Sequence, residues 1–152
     1  MASTFVGFYR LGEKAYVLWA GNSRLYQVTG DAGHVMQVTV DHNQKNDWLE
    51  NGEIDSLDGV KGGEALTAYV GMPEAGFAKR LETEEIYLPG TKRFFLTSDG
   101  IHDHIPPEKL AELMGSGRPA EELLPELANE AVAGGSTDDR SVVMLEWEER
   151  GE

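Results

Sequence analysis

The residues in this sequence best placed to do chemistry are two acids. They are Asp99, in Thr97-Ser98-Asp99-Gly100-Ile101, and Asp138, in Gly135-Ser136-Thr137-Asp138-Asp139. Each stands where the backbone pattern changes abruptly. Arg93-Phe94-Phe95-Leu96 reads as a buried strand that stops at a carboxylate followed by Gly100. Asp138 and Asp139 come just before Ser141-Val142-Val143-Met144-Leu145, a second strand pattern. Two carboxylates fixed at strand ends and pointing into one concave site can cage a hard divalent cation, which takes oxygen ligands.

Several short elements must position these acids. Thr4 to Arg10 reads as a strand, Gly12-Glu13-Lys14 as a tight turn, and Ala15 to Ala20 as a strand apolar enough to be buried on both faces. Gly21-Asn22 turns into a strand over Ser23 to Thr29, and Gly30-Asp31-Ala32-Gly33 leads on to Val35 to Val40. Short strands joined by glycine turns favour an antiparallel sheet. Gln44 to Asn51 reads as a short helix with Trp48 and Leu49 inward, stopped by Gly52. Asp55 to Gly63 is polar, glycine-rich loop, and Leu66 to Val70 and Glu82 to Leu88 read as further strands. Helical periodicity comes late. Leu110, Leu113 and Met114 form a stripe after Pro106-Pro107, and Leu123, Leu124, Leu127, Ala128 and Ala131 form another after Pro119. Pro125 is expected to kink that last helix, and Gly134-Gly135 to end it.

The 152 residues suit about one domain, with no internal repeat and no dividing linker, so residues 1–152 are expected to form a single domain. Hydrophobic content of 40% and charged content of 26% are those of an ordinary globular chain. The net charge of −14 repels phosphate backbones and anionic lipid surfaces, which argues against nucleic-acid and membrane partners. There is no cysteine, which excludes disulfides and thiolate metal sites. Met1 to Leu18 is interrupted by Arg10, Glu13 and Lys14, unlike a signal peptide, and no apolar run approaches the roughly 20 residues of a membrane span. The expectation is a soluble, cytoplasmic protein. No nucleophile elbow, P-loop or dinucleotide fingerprint is present.

Five motifs in order resemble those of one known family. They are Ala20-Gly21-Asn22-Ser23-Arg24, Asp41-His42, Leu66-Thr67 with Val70-Gly71, Ser98-Asp99-Gly100-Ile101 with Asp103, and Gly135-Ser136 with Asp138-Asp139. The series resembles the metal-dependent serine/threonine protein phosphatases, the type 2C or PPM family, over nearly the whole chain. The resemblance implies an α+β fold, an antiparallel β-sandwich of the PPM type (here partial) with helices packed on the sheets. It also implies Mg²⁺ or Mn²⁺ at one end, a metal-activated water that hydrolyses phosphomonoesters, and a phosphoprotein or phosphopeptide substrate. Matched residue by residue, Asp99 resembles a metal ligand of the serine-aspartate-glycine motif. Asp138 resembles the ligand that opens the terminal aspartate-asparagine motif. Asn22, Gly100 and Asp139 are the weak or supporting members of the site.

The sequence also departs from the family pattern. Met1 to Val6 resembles the strand that begins the family's second half, and nothing here matches the first-half motifs. Those motifs bring the phosphate-binding arginine, the aspartate bridging two metals, and the histidine proposed as general acid. Asn22 stands where the family has an aspartate, so a metal there loses a charge. Asp139 stands where the family has asparagine and reads rather as a turn residue. Asp103 reads as a structural acceptor and Arg24 as the partner of a nearby carboxylate that holds the Gly21-Asn22 turn. His42, His102 and His104 are expected to be structural. Metal binding is therefore expected to be weak and turnover by this chain alone low, with a non-catalytic PPM-like binding or regulatory module as the alternative. The absent half also implies undercovered apolar faces at Val17, Trp19, Phe95 and Val143, and with them a homodimer or a partner segment that completes the fold.

Overall fold

The two-residue turn at Gly12-Glu13 shows how this chain builds its sheets. Gly12 takes a φ of 61°, which returns the chain tightly enough to pair Leu11 with Lys14. The structure is a computed structural model, and it describes residues 1–73 and 80–146. The backbone divides into two units, one of Met1–Ser23 with Thr39–Ile86 and the other of Arg24–Val38 with Tyr87–Glu152. Among the described residues there are seven strands and four helices.

In the first unit, β1 (Phe5–Leu11) pairs antiparallel with β2 (Lys14–Ala20), and β5 (Glu82–Tyr87) lies on the other side of β2. Period-two alternation buries Ala15, Val17 and Trp19 on one face. Leu18, on the opposite face, is 36% exposed, so β2 is covered on one side rather than on both. α1 (Gln44–Glu50) starts at Asn43, whose side chain accepts the amide of Asn46 at 3.0 Å. It stops at Asn51-Gly52, with Gly52 at a φ of 73°. Leu49, expected inward, is 38% exposed. Leu66 to Val70 is not a strand. It touches neighbouring backbone only through the isolated bridges Asn43–Leu66 and Ser3–Val70, because the glycine-rich loop before it leaves no continuous register.

The second unit is a four-stranded sheet in the order β4-β3-β6-β7, comprising β3 (Arg24–Thr29), β4 (His34–Gln37), β6 (Thr91–Thr97) and β7 (Val142–Glu146). Every neighbouring pair is antiparallel. The central pair is buried. Phe94 and Phe95 are fully enclosed, and buried Arg93 is satisfied by Glu146 at 2.7 Å and by the carbonyl of Arg118 at 2.8 Å. The chain leaves β6 through a single helical turn, α2 (Asp99–His102), then enters α3 (Pro107–Gly115) and α4 (Ala120–Ala133). Pro107 occupies the first turn of α3, where its missing amide costs nothing. α4 runs on through Pro125.

The anticipated stripes make the core. Leu110, Leu113, Met114, Leu123, Leu127 and Ala131 cluster with Tyr26, Val28 and Phe95 of the sheet. Phe95 is thus covered by helices, while in the first unit Trp19 is stacked on His42 and Val17 is fully buried. The expectation of undercovered faces fails at these three residues and holds at Val143, which is 52% exposed on β7. One contact ties the β3–β4 turn to the end of α3. A Cβ built on Gly33 would meet the carbonyl oxygen of Gly115 at 2.1 Å, and one on Gly115 would meet that of Gly33 at 2.3 Å.

Candidate metal centre

β6 and β7 end side by side, and the carboxylates emerge from those ends. After the last ladder pair, Thr97–Val142, the pairing continues through Ser98 and Ser141. The Ser98 amide donates to the Ser141 carbonyl at 3.0 Å, and the Ser141 amide donates to Ser98 Oγ at 2.9 Å. Ser98 Oγ in turn donates to the Asp139 carbonyl at 3.3 Å. Ser98 is extended (φ −83°, ψ 164°), and the next residue, Asp99, is already helical. This abrupt change places a half-buried acid at the mouth of the strand pair.

Gly100 is required by space rather than by backbone conformation. A Cβ there would lie 2.2 Å from the carbonyl oxygen of Asp139, so only glycine lets the two loops touch. Ser136, buried, donates its hydroxyl to the Gly100 carbonyl at 2.7 Å and fixes the same contact from the other side. Arg140 donates to the carbonyls of Asp138 at 3.0 Å and Ser136 at 3.5 Å, which stiffens the loop. Asp99 and Asp138 are alike in detail: Oδ1 of each accepts the amide of the following residue, at 2.9 Å and 2.8 Å. Asp138 and Asp139 are exposed.

The donor chemistry suits a hard cation, since Asp99 and Asp138 offer carboxylate oxygens at adjacent strand ends. The donor count is low. Among the described residues, no three His, Cys, Asp or Glu side chains are grouped to hold a metal. Two carboxylates are too few to hold a bridged pair of cations. Asn22 lies in the first unit, in the Gly21-Asn22 turn, and Asp99 lies in the second.

The remaining polar residues singled out in the sequence have structural partners. Asp103 lies 4.0 Å from Arg24 and 3.7 Å from His102, as a structural acceptor should. Arg24 also donates to the Tyr26 hydroxyl at 3.1 Å. His102 is buried with Nδ1 2.7 Å from Thr97 Oγ1. His42 is 6% exposed and holds the Gly21 turn, accepting the Gly21 amide at Nδ1 (3.0 Å) while its own amide donates to the Gly21 carbonyl (3.0 Å). The clamp of Ser98, Ser136 and Ser141 had no separate signal in the sequence. Only the Ser98-Asp99-Gly100 spacing pointed toward it.

The fold is similar to that of PPM-type serine/threonine phosphatases, with antiparallel sheets and few helices. The similarity is seen with three bacterial enzymes. The serine/threonine phosphatase PstP/Ppp of Mycobacterium tuberculosis superposes with a TM-score of 0.80 at 21% identity, covering 96% of this chain and 60% of that one. For Stp1 of Staphylococcus aureus the values are 0.76 and 20%, with 96% and 56% covered. PppA of Pseudomonas aeruginosa, a key regulatory component of T6SS, gives 0.77 at 25% identity, with 97% and 59% covered. The chain therefore spans a little over half the length of these relatives. No protein-family model and no curated protein sequence matches it.

Proposed function

We propose that this chain carries the second-half metal ligands of a Mg²⁺- or Mn²⁺-dependent phosphoprotein serine/threonine phosphatase, Asp99 and Asp138, and that alone it is an incomplete catalyst. The observation that carries this reading is the serine clamp, which sets an aspartate at each of two adjacent strand ends on a phosphatase fold. A cation held there would neutralise phosphoryl oxygens and lower the pKa of bound water. The chain's own part is to hold Asp99 half-buried through the Ser98-Gly100 turn and to keep the Asp138 loop against it through Ser136 and Arg140. Gly100 and Asp139 act in support, Gly100 by allowing the contact and Asp139 by adding charge.

The reading is tested by hydrolysis of p-nitrophenyl phosphate and of a phosphothreonine peptide in Mn²⁺. Slow release that is lost with chelator and in Asp99→Asn supports it. Release indifferent to both overturns it. The second reading, a non-catalytic module that binds a phosphoprotein or a regulator, is favoured by the absence of a three-ligand group among the described residues. Metal binding without any hydrolysis would select it. No helix among the described residues is long and apolar enough to cross a membrane, and a cytoplasmic location goes with this proposal.

A further inference from the structure

Asn51 is followed by Gly52, and no other asparagine in the chain precedes a glycine. The pair stands at the end of α1 and is exposed to solvent. Asn51 closes the helix at φ −79° and ψ −2°, and Gly52 leaves it in the left-handed region at a φ of 73°. Among the described residues, the Asn51 side chain makes no hydrogen bond. The Gly52 amide donates to the Leu49 carbonyl at 3.2 Å, a bond of the last helical turn, where helices fray. Nothing crowds the glycine, since a Cβ built on it would meet no atom within 4 Å.

Each of the other asparagines is more restrained. Asn43 is 4% exposed, and its side chain accepts the Asn46 amide at 3.0 Å. The Asn46 side chain donates to the Asp41 carbonyl at 2.8 Å. Asn22 is half-buried and precedes Ser23. Asn129 lies inside α4 and precedes Glu130, so its neighbour's amide belongs to an unbroken helix. Asn51 alone combines a free side-chain amide, an unhindered next residue and a helix end that opens easily.

We propose that Asn51 is a site of spontaneous deamidation, a covalent modification that loosens α1. The Gly52 backbone nitrogen gives up its proton and attacks the side-chain carbonyl carbon of Asn51. A carbon–nitrogen bond forms, the bond to the side-chain nitrogen breaks, and ammonia leaves with the proton. The product is a five-membered succinimide. Water then opens the ring at one carbonyl or the other and leaves aspartate or isoaspartate, with no oxidation or reduction. Either product adds one negative charge at the negative end of α1, one turn after Asp47. Isoaspartate also lengthens the backbone by one atom before Gly52. That draws the Glu53 amide away from the Trp48 carbonyl, to which it donates at 2.8 Å. The site is independent of the metal centre and of the phosphatase reading.

The test is peptide mapping of the full chain after incubation in mildly alkaline buffer at physiological temperature. Trypsin releases residues 46–61 as one peptide, which holds both Asn46 and Asn51. A gain of one mass unit is expected in this peptide, placed at Asn51 by fragment ions and accumulating faster as pH is raised. The peptides that hold Asn22, Asn43 and Asn129 should stay unshifted. The same peptide from Asn51→Gln should also stay unshifted, because glutamine would have to close a slower six-membered ring. Hydrogen exchange at the Glu53 amide is expected to quicken in the aged protein. The proposal is overturned by an unshifted peptide over an interval in which a short synthetic Asn-Gly peptide converts, by a shift placed at Asn46, or by equal change at Asn129. Unchanged exchange at Glu53 would overturn the loosening of α1.

Discussion

Ser98 and Ser141 grip each other twice, amide to carbonyl at 3.0 Å and amide to hydroxyl at 2.9 Å, and so extend the β6–β7 ladder one step beyond its last regular pair. The side-chain half of this grip is what the candidate metal centre depends on. Ser98→Ala keeps the backbone bond and loses the hydroxyl's contacts with Ser141 and Asp139. A loss of about 1 kcal/mol in stability is expected, read from urea unfolding, with weaker Mn²⁺ binding alongside. Unchanged Mn²⁺ affinity would separate the clamp from the metal.

Gly100→Ala is expected to be severe, because Gly100 is buried in the single turn of α2. The added methyl meets the Asp139 carbonyl, a backbone atom that cannot rotate away. Overpacking of this kind costs about 1–3 kcal/mol, again measured by urea unfolding. An unperturbed midpoint would mean that the two loops part freely.

Mn²⁺ affinity is expected in the millimolar range, since two carboxylates supply little charge and few ligands. Calorimetry on Asp99→Ala and on Asp138→Ala should show binding lost in each. Equal binding by the Asp99→Ala protein would remove Asp99 from the ligand set.

Lys14 and Glu85 face each other at 2.8 Å between β2 and β5. The hydrogen bond from Lys14, joined by one from Tyr16, holds the Glu85 carboxyl below its ordinary value, and the same bond raises Lys14. The sign follows. The Glu85 contribution is present above the ordinary glutamate value of about 4.3 and fades as pH falls through the lowered one. The Lys14 contribution is full below its ordinary value of about 10.4 and fades as pH rises through the raised one. Both groups are exposed, so the effect is small. Thermal midpoints of the protein and of Glu85→Gln should differ slightly at neutral pH and converge in acid.

Sheet edges predict association. Among the described residues, β1 and β7 each end a sheet, with Tyr9 and Leu11 exposed on the first and Val143 on the second. Strand edges of this kind pair between chains. Light scattering at micromolar concentration should report a homodimer or a small closed assembly, limited by the charge of −14, unless a partner segment is supplied. A clean monomer with cooperative unfolding would refute this.

The sequence was most legible where one physical signal was strong. Glycine turns at Gly12 and Gly33, the stripes of α3 and α4, and the acid-glycine stop after Phe95 all announced themselves. It was least legible where tertiary contact decides. Leu18 and Leu49 are apolar yet outward, and the alternation that would bury Leu66 to Val70 in a strand is undone by the lack of a paired neighbour. That Asp99 and Asp138 would stand beside the ends of β6 and β7 could be read from the residue types around them. That Ser98 would meet Ser141, forty-three residues away, could not. Nor could the direction of His42, whose tautomer is set by an amide twenty-one residues earlier.

The facing glycines, Gly33 and Gly115, carry a lesson for anyone who would engineer this protein. Most tight contacts can be relieved by trimming the opposing side chain, so a damaging change at one position can be rescued at the other. Here each residue is obstructed by the other's carbonyl oxygen, and no side chain exists to trim. A paired substitution should therefore add the two penalties rather than cancel them. The Gly30–Gly33 turn, an inviting surface loop for a tag or a split point, is instead a poor place to cut.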